Sequence, residues 1–424
     1  MSMTTGTQRF IRLRKRDVLA LCLADAALNT ADQERLQQLG HLLQALLHYQ
    51  FQQRLERLKE SYAPYDPDAD TRSQVPLSAQ ERERCQKALV SELTALLDAA
   101  NYEAITDHDL REALAEESLF KIRLEVDFDD FEEVLFFRRG ASIRQETLLT
   151  LWGLRKRPIA FTNYARVVVF LKFKEADYFA KSKRKQLNFV PGATLIKLFH
   201  NVPKADLEML FPNSRIRMKT IDKLIIGVPA AVSGIIMLVT KLGATFILLG
   251  SLISFWFGFS SSPVEVEKKH LVILGAGLGT LAGFLFKQFN KFKNRKLRFM
   301  QALTENLYFK NLDNNAGVFH HLIDDAEEEE FKEVWLAYFC LLTADRPLTR
   351  QQLDQTAEAW LAHKAGVRID FEISDALDKL KRLQLVQIES GAVHPVPLPQ
   401  ALNTLDRQWD ALFGFHHPPA AGRS

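Results

Sequence analysis

The sequence predicts an α+β membrane protein, because one long apolar stretch lies between two charged regions with the patterns of folded domains. Residues 224–286 contain three runs poor in charge: LIIGVPAAVSGIIMLVT, KLGATFILLGSLISFWFGFS and LVILGAGLGTLAGFLF. A helix that crosses a hydrocarbon core needs about 20 apolar residues. We therefore expect an N-terminal helical and antiparallel α+β soluble region, a transmembrane helical hairpin within 220–288, and a C-terminal winged-helix-like domain within 289–424.

Basic residues on both flanks of the apolar stretch predict an even number of crossings. Four Lys and Arg residues lie within 215–223, and six lie within 287–298 with no acid among them. Positive charge close to a span tends to stay cytoplasmic, so both flanks favour the same side. Two spans are favoured over three, with both termini on the cytoplasmic side of a bacterial or mitochondrial type of inner membrane. A buried hairpin of a large soluble protein is the alternative.

Three glycines in the last apolar run recur every four residues, at Gly275, Gly279 and Gly283. This small-xxx-small spacing lets helix backbones approach closely and predicts a helix-packing face. The letters GAGLG also suggest a dinucleotide-binding loop. That interpretation fails because Thr280 stands where the third glycine is needed.

Length and charge limit the remaining choices. A chain of 424 residues is long enough for two or three domains. Its three cysteines lie far apart, which favours a reducing compartment and argues against a disulfide framework or a zinc site. The net charge of +3 combines a net +7 over 181–223 with a net −7 over 316–424. Because negative charge opposes binding to phosphates, the acidic C-terminal part disfavours nucleic acid as a partner.

The chain before the apolar stretch divides into a helical region, 1–115, and an α+β domain, 116–219. Leucines spaced by three or four predict helices over 31–62 and 79–100. Alternating apolar and charged residues over 120–128 predict a half-buried strand. Further strands are expected at 134–137, 166–173, 194–199 and 215–218.

Two acidic stretches invite a site, but each has a plainer interpretation. Asp66, Asp68 and Asp70 alternate like the start of a calcium loop, yet the glycine and glutamate that complete such a loop are missing, so an Asx-turn linker is favoured. A second group could act as catalytic carboxylates or metal ligands, although a solvated strand edge is favoured. Its members are Asp127, Asp129, Asp130, Glu132 and Glu133.

The C-terminal part predicts three helices and a two-stranded wing from about residue 333. The preceding segment pairs His320 with Asp324 and His321 with Asp325 at helical spacing, so a weak metal site can be drawn. A solvated acidic helix with its apolar residues facing a core is the favoured alternative.

Four stretches in fixed order resemble a domain-of-unknown-function family of uncharacterised multi-pass membrane proteins, which includes a vertebrate mitochondrial transmembrane protein. They are FIRLRKRD at 10–17, YAPYDPDADT at 62–71, FHNVPKADLEML at 199–210 and LTENLYFKNLDNNAGV at 303–318. The resemblance implies a membrane-embedded protein and supplies no activity or site residues. The polar cluster of the last stretch suggests a shaped turn and is the candidate motif; it consists of Asn311, Asn314, Asn315 and Gly317.

The function expected from the sequence is a membrane-tethered scaffold or regulator that binds protein or lipid headgroups. A subunit of an oligomeric transporter or channel is the alternative, and an enzyme acting on a membrane substrate lacks a recognisable nucleophile, base or metal set. No catalytic, cofactor-binding or metal-binding residue is predicted. The partners expected are membrane lipids, a second copy of the chain, and a protein bound by the acidic C-terminal domain.

Overall fold

The structure is a computed structural model of the whole chain. It describes residues 3–4, 8–25, 28–71, 74–115, 123–150, 155–180, 187, 189–217, 232, 243–258 and 268–413. The first predicted apolar run, 224–240, lies outside these residues except for position 232.

The described chain contains both helices and strands. In chain order the helices are α1 (Lys15–Leu23), α2 (Thr30–Tyr62), α3 (Ala79–Ala99), α4 (Asp107–Ala115), α5 (Ala176–Ala180), α6 (Gly243–Trp256), α7 (Lys268–Lys310), α8 (Ala316–Leu342), α9 (Arg350–Ala365), α10 (Ile373–Arg382) and α11 (Leu398–Asp410). The strands are β1 (Met3–Thr4), β2 (Glu103–Ala104), β3 (Arg123–Glu125), β4 (Phe131–Thr150), β5 (Arg155–Phe173), β6 (Thr194–Pro203), β7 (Arg215–Arg217), β8 (Asn311–Asn314), β9 (Leu348–Thr349), β10 (Val386–Glu389) and β11 (Ala392–Pro395).

The chain forms two compact units. The first contains residues 1–116, 128–207 and 310–424, and the second contains 117–127 and 208–309. In the second unit, β3 pairs antiparallel with β7, and α6 and α7 are its helices. The predicted domain boundaries at 115, 219 and 288 stay predictions.

An antiparallel sheet is the framework of the first unit. Its strands follow the order β1-β4-β5-β6-β8, with β2 paired to β4. Apolar side chains at alternating positions of β5 and β6, including Val168, Phe170, Ile196 and Leu198, join one core with α1, α2, α3 and α8. Helix α8 contacts α1, α2, α3, α9, α10 and the sheet, and residues 329–341 are buried without interruption. This placement explains why polar side chains of α8 must find partners inside the protein.

The C-terminal segment has the predicted elements. Helices α9 and α10 follow α8, and β10 and β11 form the predicted hairpin. A short third strand, β9, pairs with β11 just before α9. Thr349 caps α9 in a capping box with Gln352, which defines where that helix begins.

The predicted transmembrane hairpin is wrong for the part of the chain that the structure describes. Among those residues, none of the helices has both the length and the apolar character that crossing a membrane requires. Helix α6 is apolar but has 14 residues, fewer than the roughly 20 that a span needs. Helix α7 has 43 residues, but its apolar part is confined between Lys269 and Lys287.

The same finding overturns three further expectations from the sequence. These are the inner-membrane location, the membrane-tethered scaffold or regulator, and the transporter or channel subunit. One part of the predicted fold class is confirmed: the protein contains both helices and sheet.

Candidate functional site

Helix α8 carries a row of buried charges, contrary to the solvated acidic helix expected there. Asp325, Glu329 and Glu333 follow one another at intervals of four residues and therefore share a face of the helix. All three are buried, Glu329 to 1% relative exposure. We call their cluster the buried ion network; its acids are Asp325, Glu329, Glu330 and Glu333, and its bases are Arg139, Arg166, Lys332 and Lys379.

Glu329 lies at the centre of the buried ion network and accepts from three donors. The Nη2 atom of Arg139 lies 2.6 Å from its Oε1, and the Nζ atom of Lys332 lies 2.7 Å from the same oxygen. The backbone N–H of Ile11 donates to Oε2 at 3.1 Å. Lys332 also donates to the carbonyl oxygens of Ile11 and Leu13. The carboxylate therefore joins α8 to β4 and to the chain before α1.

Beside Arg139, Gly140 brings the backbone of β4 close to the ring of Phe10. Gly140 has a φ of 69°, a conformation that favours glycine, and a Cβ at this position would lie 3.1 Å from the ring of Phe10. The Arg139 guanidinium lies 4.6 Å from the centre of the Phe10 ring and 3.0 Å from Asp325. Asp325 also pairs with Arg166 and accepts from the hydroxyl of Tyr102 at 3.0 Å.

Glu333 forms the second centre of the buried ion network. Its carboxylate accepts from the Nδ2 of Asn101 at 2.8 Å and from the Nζ of Lys379 at 3.0 Å. Burial raises the pKa of Glu333 from 4.5 to about 7, although Lys379 and Asn101 oppose the shift. Burial alone would lower the pKa of Lys379, but the facing carboxylates of Glu333 and Glu330 raise it. The ammonium therefore stays charged at neutral pH.

A groove with a cavity volume of about 830 Å³ lies beside this network, between α3, β2 and β4. Cavities of about 300–1,000 Å³ are typical of small-molecule sites. The rings of Tyr102 and Phe137 are both buried, so they form part of its inner wall. Tyr102 belongs to the groove and also donates to Asp325, so it connects the groove with the buried ion network. The lining residues are Arg9, Gln86, Lys87, Val90, Ser91, Thr94, Ala95, Asp98, Tyr102, Glu103, Ala104, Glu133 and Phe137.

The ends of the groove are charged, and its middle is mostly apolar with the hydroxyl groups of Ser91 and Thr94 in the lining. At one end Arg9 pairs with Glu372 and lies 3.8 Å from Asp98. At the same end Glu103 pairs with Arg138 at 2.8 Å. At the opposite end of the groove, Gln86 donates to Glu133 at 3.4 Å. This arrangement can hold a ligand that has an apolar body and charged groups.

The candidate motif at 311–317 lies where β8 leads into α8. Asn311 and Asn314 are in β8, which pairs with β6. Asn315 is buried with a φ of 52°, and its backbone N–H donates to the carbonyl of Ile196 at 2.6 Å. Its side-chain oxygen accepts from the N–H of Ile196 at 3.3 Å, and its amide donates to Asp68. Two of the four stretches in the resemblance, 62–71 and 303–318, thus meet at this bond.

Replacing Asn315 by alanine is expected to lower the free energy of unfolding by about 2 kcal/mol. The change removes two side-chain hydrogen bonds and leaves a residue with a Cβ at positive φ. Asn315→Gly keeps the conformation accessible and should cost about 1 kcal/mol less than the alanine variant. Urea denaturation measures both, with the exposed neighbour Asn314→Ala as the control. Equal stability of all three variants would contradict this role for Asn315.

The other candidates have simpler explanations. Asp66 accepts from the backbone N–H of Asp68 at 3.0 Å, which is the expected Asx turn, and Asp68 is bonded to Asn315. His321 lies 3.3 Å from Asp313, while its predicted metal-ligand partner Asp325 is bonded to arginines. Of the five acids at 127–133, Asp130 is buried rather than solvated, Glu132 pairs with Lys172 at 2.8 Å, and Glu133 lines the groove.

Three side chains of α4, a histidine and two acids, lie close enough together for a metal site, but another role is also found among them. Among the described residues, His108, Asp109 and Glu112 bring ligand atoms within 4.8 Å of one another. Asp109 accepts from both the hydroxyl and the backbone N–H of Thr106, which places it in the cap of α4. We therefore attribute Asp109 to helix capping, while Glu112 pairs with Lys204 at 3.5 Å.

The predicted helix-packing glycines all lie on α7. A Cβ added at Gly275, Gly279 or Gly283 would meet no described atom within 4 Å. Their packing against another helix stays a prediction.

Most of the groove and network residues were not found from the sequence. One signal was present for α8: the acids at 325, 329 and 333 are separated by intervals of four and alternate with buried apolar residues such as Leu322 and Ala326. Arg9, Asp98 and Tyr102 carry no local signal, since they come together only in the folded chain.

Comparison with known families agrees with part of the resemblance. The family described as "Protein of unknown function (DUF3754)" matches residues 164–317, which run from β5 to the start of α8 and include the candidate motif. This match says nothing of a membrane or of a vertebrate mitochondrial relative. No solved structure matches the chain. Residues 164–317, which are less than half of the chain, are therefore similar to an uncharacterised family, DUF3754.

Proposed function

We propose that this protein binds a small organic molecule in the groove between α3, β2 and β4. The observation that carries the proposal is a cavity of about 830 Å³ with a buried aromatic wall and charged ends. Ligand pockets are usually mostly apolar, with a few polar groups that orient the ligand. Val90, Ala95 and Phe137 supply the apolar part here, and Arg9, Asp98 and Glu133 supply the polar part.

The walls of the groove are supported from behind, which favours binding. Helix α3 begins with a capping box between Ser78 and Glu81, and its buried leucines pack in the core. Tyr102 is held by its hydrogen bond to Asp325 of the buried ion network. Because this wall is already ordered, the protein loses less conformational entropy when a ligand binds.

Filling the groove should abolish binding without unfolding the protein. Ala95→Trp places a large ring on the lining face of α3, at an exposed position where the helix can accept it. Ala88→Trp is the matched control, because Ala88 is an exposed alanine of the same helix that does not line the groove. The measurement is saturation-transfer NMR with three probes of different charge: tryptamine, indole and indole-3-acetate.

We expect at least one of these probes to bind the wild-type chain and the Ala88→Trp variant, and to lose its signal with Ala95→Trp. A probe set that binds all three proteins alike would contradict the proposed function. Circular dichroism of both variants checks that each is folded.

The partners expected from the sequence remain proposals beside this one. They are membrane lipids, a second copy of the chain and a protein bound by the acidic C-terminal domain. The surface of the C-terminal domain is less acidic than the net −7 over 316–424 suggests, because four of its acids are buried with basic partners: Asp325, Glu329, Glu330 and Glu333. An open groove of about 540 Å³ along α9, which includes the ring of Trp360, supports a protein partner there.

A further inference from the structure

We propose that the ligand of the groove is a linear polyamine, whose terminal ammonium groups are bound by Asp98 and Glu133. This inference rests on the proposed function of the groove and names the chemical class of its ligand. It is carried by three features of the groove: the charges left without a close basic partner, their separation, and the apolar surface between them.

The charge of the lining favours a cation. Three lining residues are acidic and two are basic. Both bases have close acidic partners outside the lining, since Lys87 lies 2.7 Å from Glu83 and Arg9 pairs with Glu372. Glu103 has a basic partner of its own in Arg138, at 2.8 Å.

Two lining carboxylates have weaker partners within the described residues. Asp98 is 3.8 Å from the Nη2 of Arg9, and its side chain is 63% exposed. Glu133 accepts from the neutral amide of Gln86 at 3.4 Å. Both can therefore accept hydrogen bonds from an ammonium group.

The position of Asp98 on its helix strengthens the preference for a cation. Asp98 lies in the last turn of α3, and that turn contains no basic residue. The carboxyl end of a helix carries partial negative charge, which adds to the charge of the carboxylate. A cation bound at Asp98 would interact favourably with both.

The separation of the two carboxylates indicates a long ligand. Gln86, the partner of Glu133, lies twelve residues before Asp98 on α3, which corresponds to about 18 Å along a helix. Side chains that reach into the groove shorten this distance. An extended tetra-amine can span such a gap more completely than a triamine, and a short diamine cannot reach both ends.

The surface between the carboxylates suits a methylene chain. Val90, Thr94 and Ala95 lie along α3 between Gln86 and Asp98, and the ring of Phe137 lines the same groove from β4. Hydrocarbon segments of a polyamine can pack on this surface while its terminal amines reach the carboxylates. A compact hydrated metal ion would gain nothing from the apolar surface, so the groove should discriminate between the two kinds of cation.

Isothermal titration calorimetry of the full chain at physiological ionic strength tests the proposal, with spermine, spermidine and putrescine as probes. We expect affinity to fall in that order, and we expect excess Mg²⁺ not to displace spermine. Asp98→Asn and Glu133→Gln should each weaken spermine binding about tenfold, since each removes a charge-assisted hydrogen bond. Glu92→Gln is the matched control, because Glu92 is an acid of α3 outside the lining that pairs with Arg54 and Arg57.

Three results would overturn the inference, and they separate it from the proposed function. If no amine binds while an indole probe still binds in a manner blocked by Ala95→Trp, the polyamine is wrong and the groove remains a binding site. If spermine binds the double variant Asp98→Asn, Glu133→Gln as tightly as wild type, its binding is non-specific and the inference fails. If neither amines nor indole probes bind, both proposals fail.

Discussion

Replacing Glu329 by leucine is expected to lower the free energy of unfolding by about 3–5 kcal/mol, the usual cost of removing one partner from a buried ion pair. Glu329 is 1% exposed and accepts from Arg139, Lys332 and the backbone of Ile11. Leucine fills a similar volume but accepts no hydrogen bond. The N–H of Ile11 would lose its partner, and two buried cations would lose a shared counter-charge.

Urea denaturation followed by circular dichroism measures this effect. Asp324→Leu is the control, because Asp324 is an exposed acid of the same helix, and we expect it to change stability by less than about 0.5 kcal/mol. Glu329→Gln should fall between the two, since it retains an acceptor without the charge. A loss below about 1 kcal/mol in the leucine variant would show that the buried ion network is not a major source of stability.

Local periodicity predicted many of the regular elements. Leucines at helical spacing, such as Leu36, Leu43 and Leu47, indicated α2, and they are buried in the structure. The apolar run at 166–173 indicated a strand and lies within β5. These signals succeed because one buried face is enough to select a helix or strand from the sequence alone.

The membrane prediction failed because hydropathy counts residues without showing where a helix begins and ends. The second apolar run has 19 residues at 242–260, but α6 covers only Gly243–Trp256 of it. The third run is part of a much longer helix that becomes basic after Phe286. The length and hydrophobicity of an apolar run alone could not show that α6 and α7 begin and end at these residues and not at the ends of a membrane span.

The buried ion network shows a different limit. Four consecutive glutamates at 327–330 read as a solvated surface, because isolated buried carboxylates are costly. The basic partners of the acids in the buried ion network come from distant parts of the chain: Arg139 on β4, Arg166 on β5 and Lys379 on α10. Only the tertiary fold brings these charges together. The groove was missed for the same reason, since α3, β2 and β4 each supply a few unremarkable residues.

Glu333 should make the stability of this protein depend on pH between about 4.5 and 7. Burial raises its pKa in the folded protein from 4.5 to about 7, so the folded state binds a proton more strongly than the unfolded state. The protonated acid is the form that the fold favours. The contribution of protonated Glu333 to the free energy of unfolding is therefore fully present below about pH 4.5 and is lost as the pH rises through 7. At 1.36 kcal/mol for each pKa unit, the change amounts to roughly 3 kcal/mol.

Comparison with Glu333→Gln isolates this contribution from the other titrating groups, which both proteins share. Glutamine is a neutral isostere that still accepts from Asn101, and the carboxylate of Glu330 lies beside Lys379 in both proteins. We expect the free energy of unfolding of the wild type, relative to Glu333→Gln, to fall by roughly 3 kcal/mol between pH 4.5 and 7.5. Urea titrations at half-unit pH intervals measure the difference. A difference that stays constant over this interval would mean that Glu333 is ionised throughout and that Lys379 and Asn101 outweigh the cost of its burial.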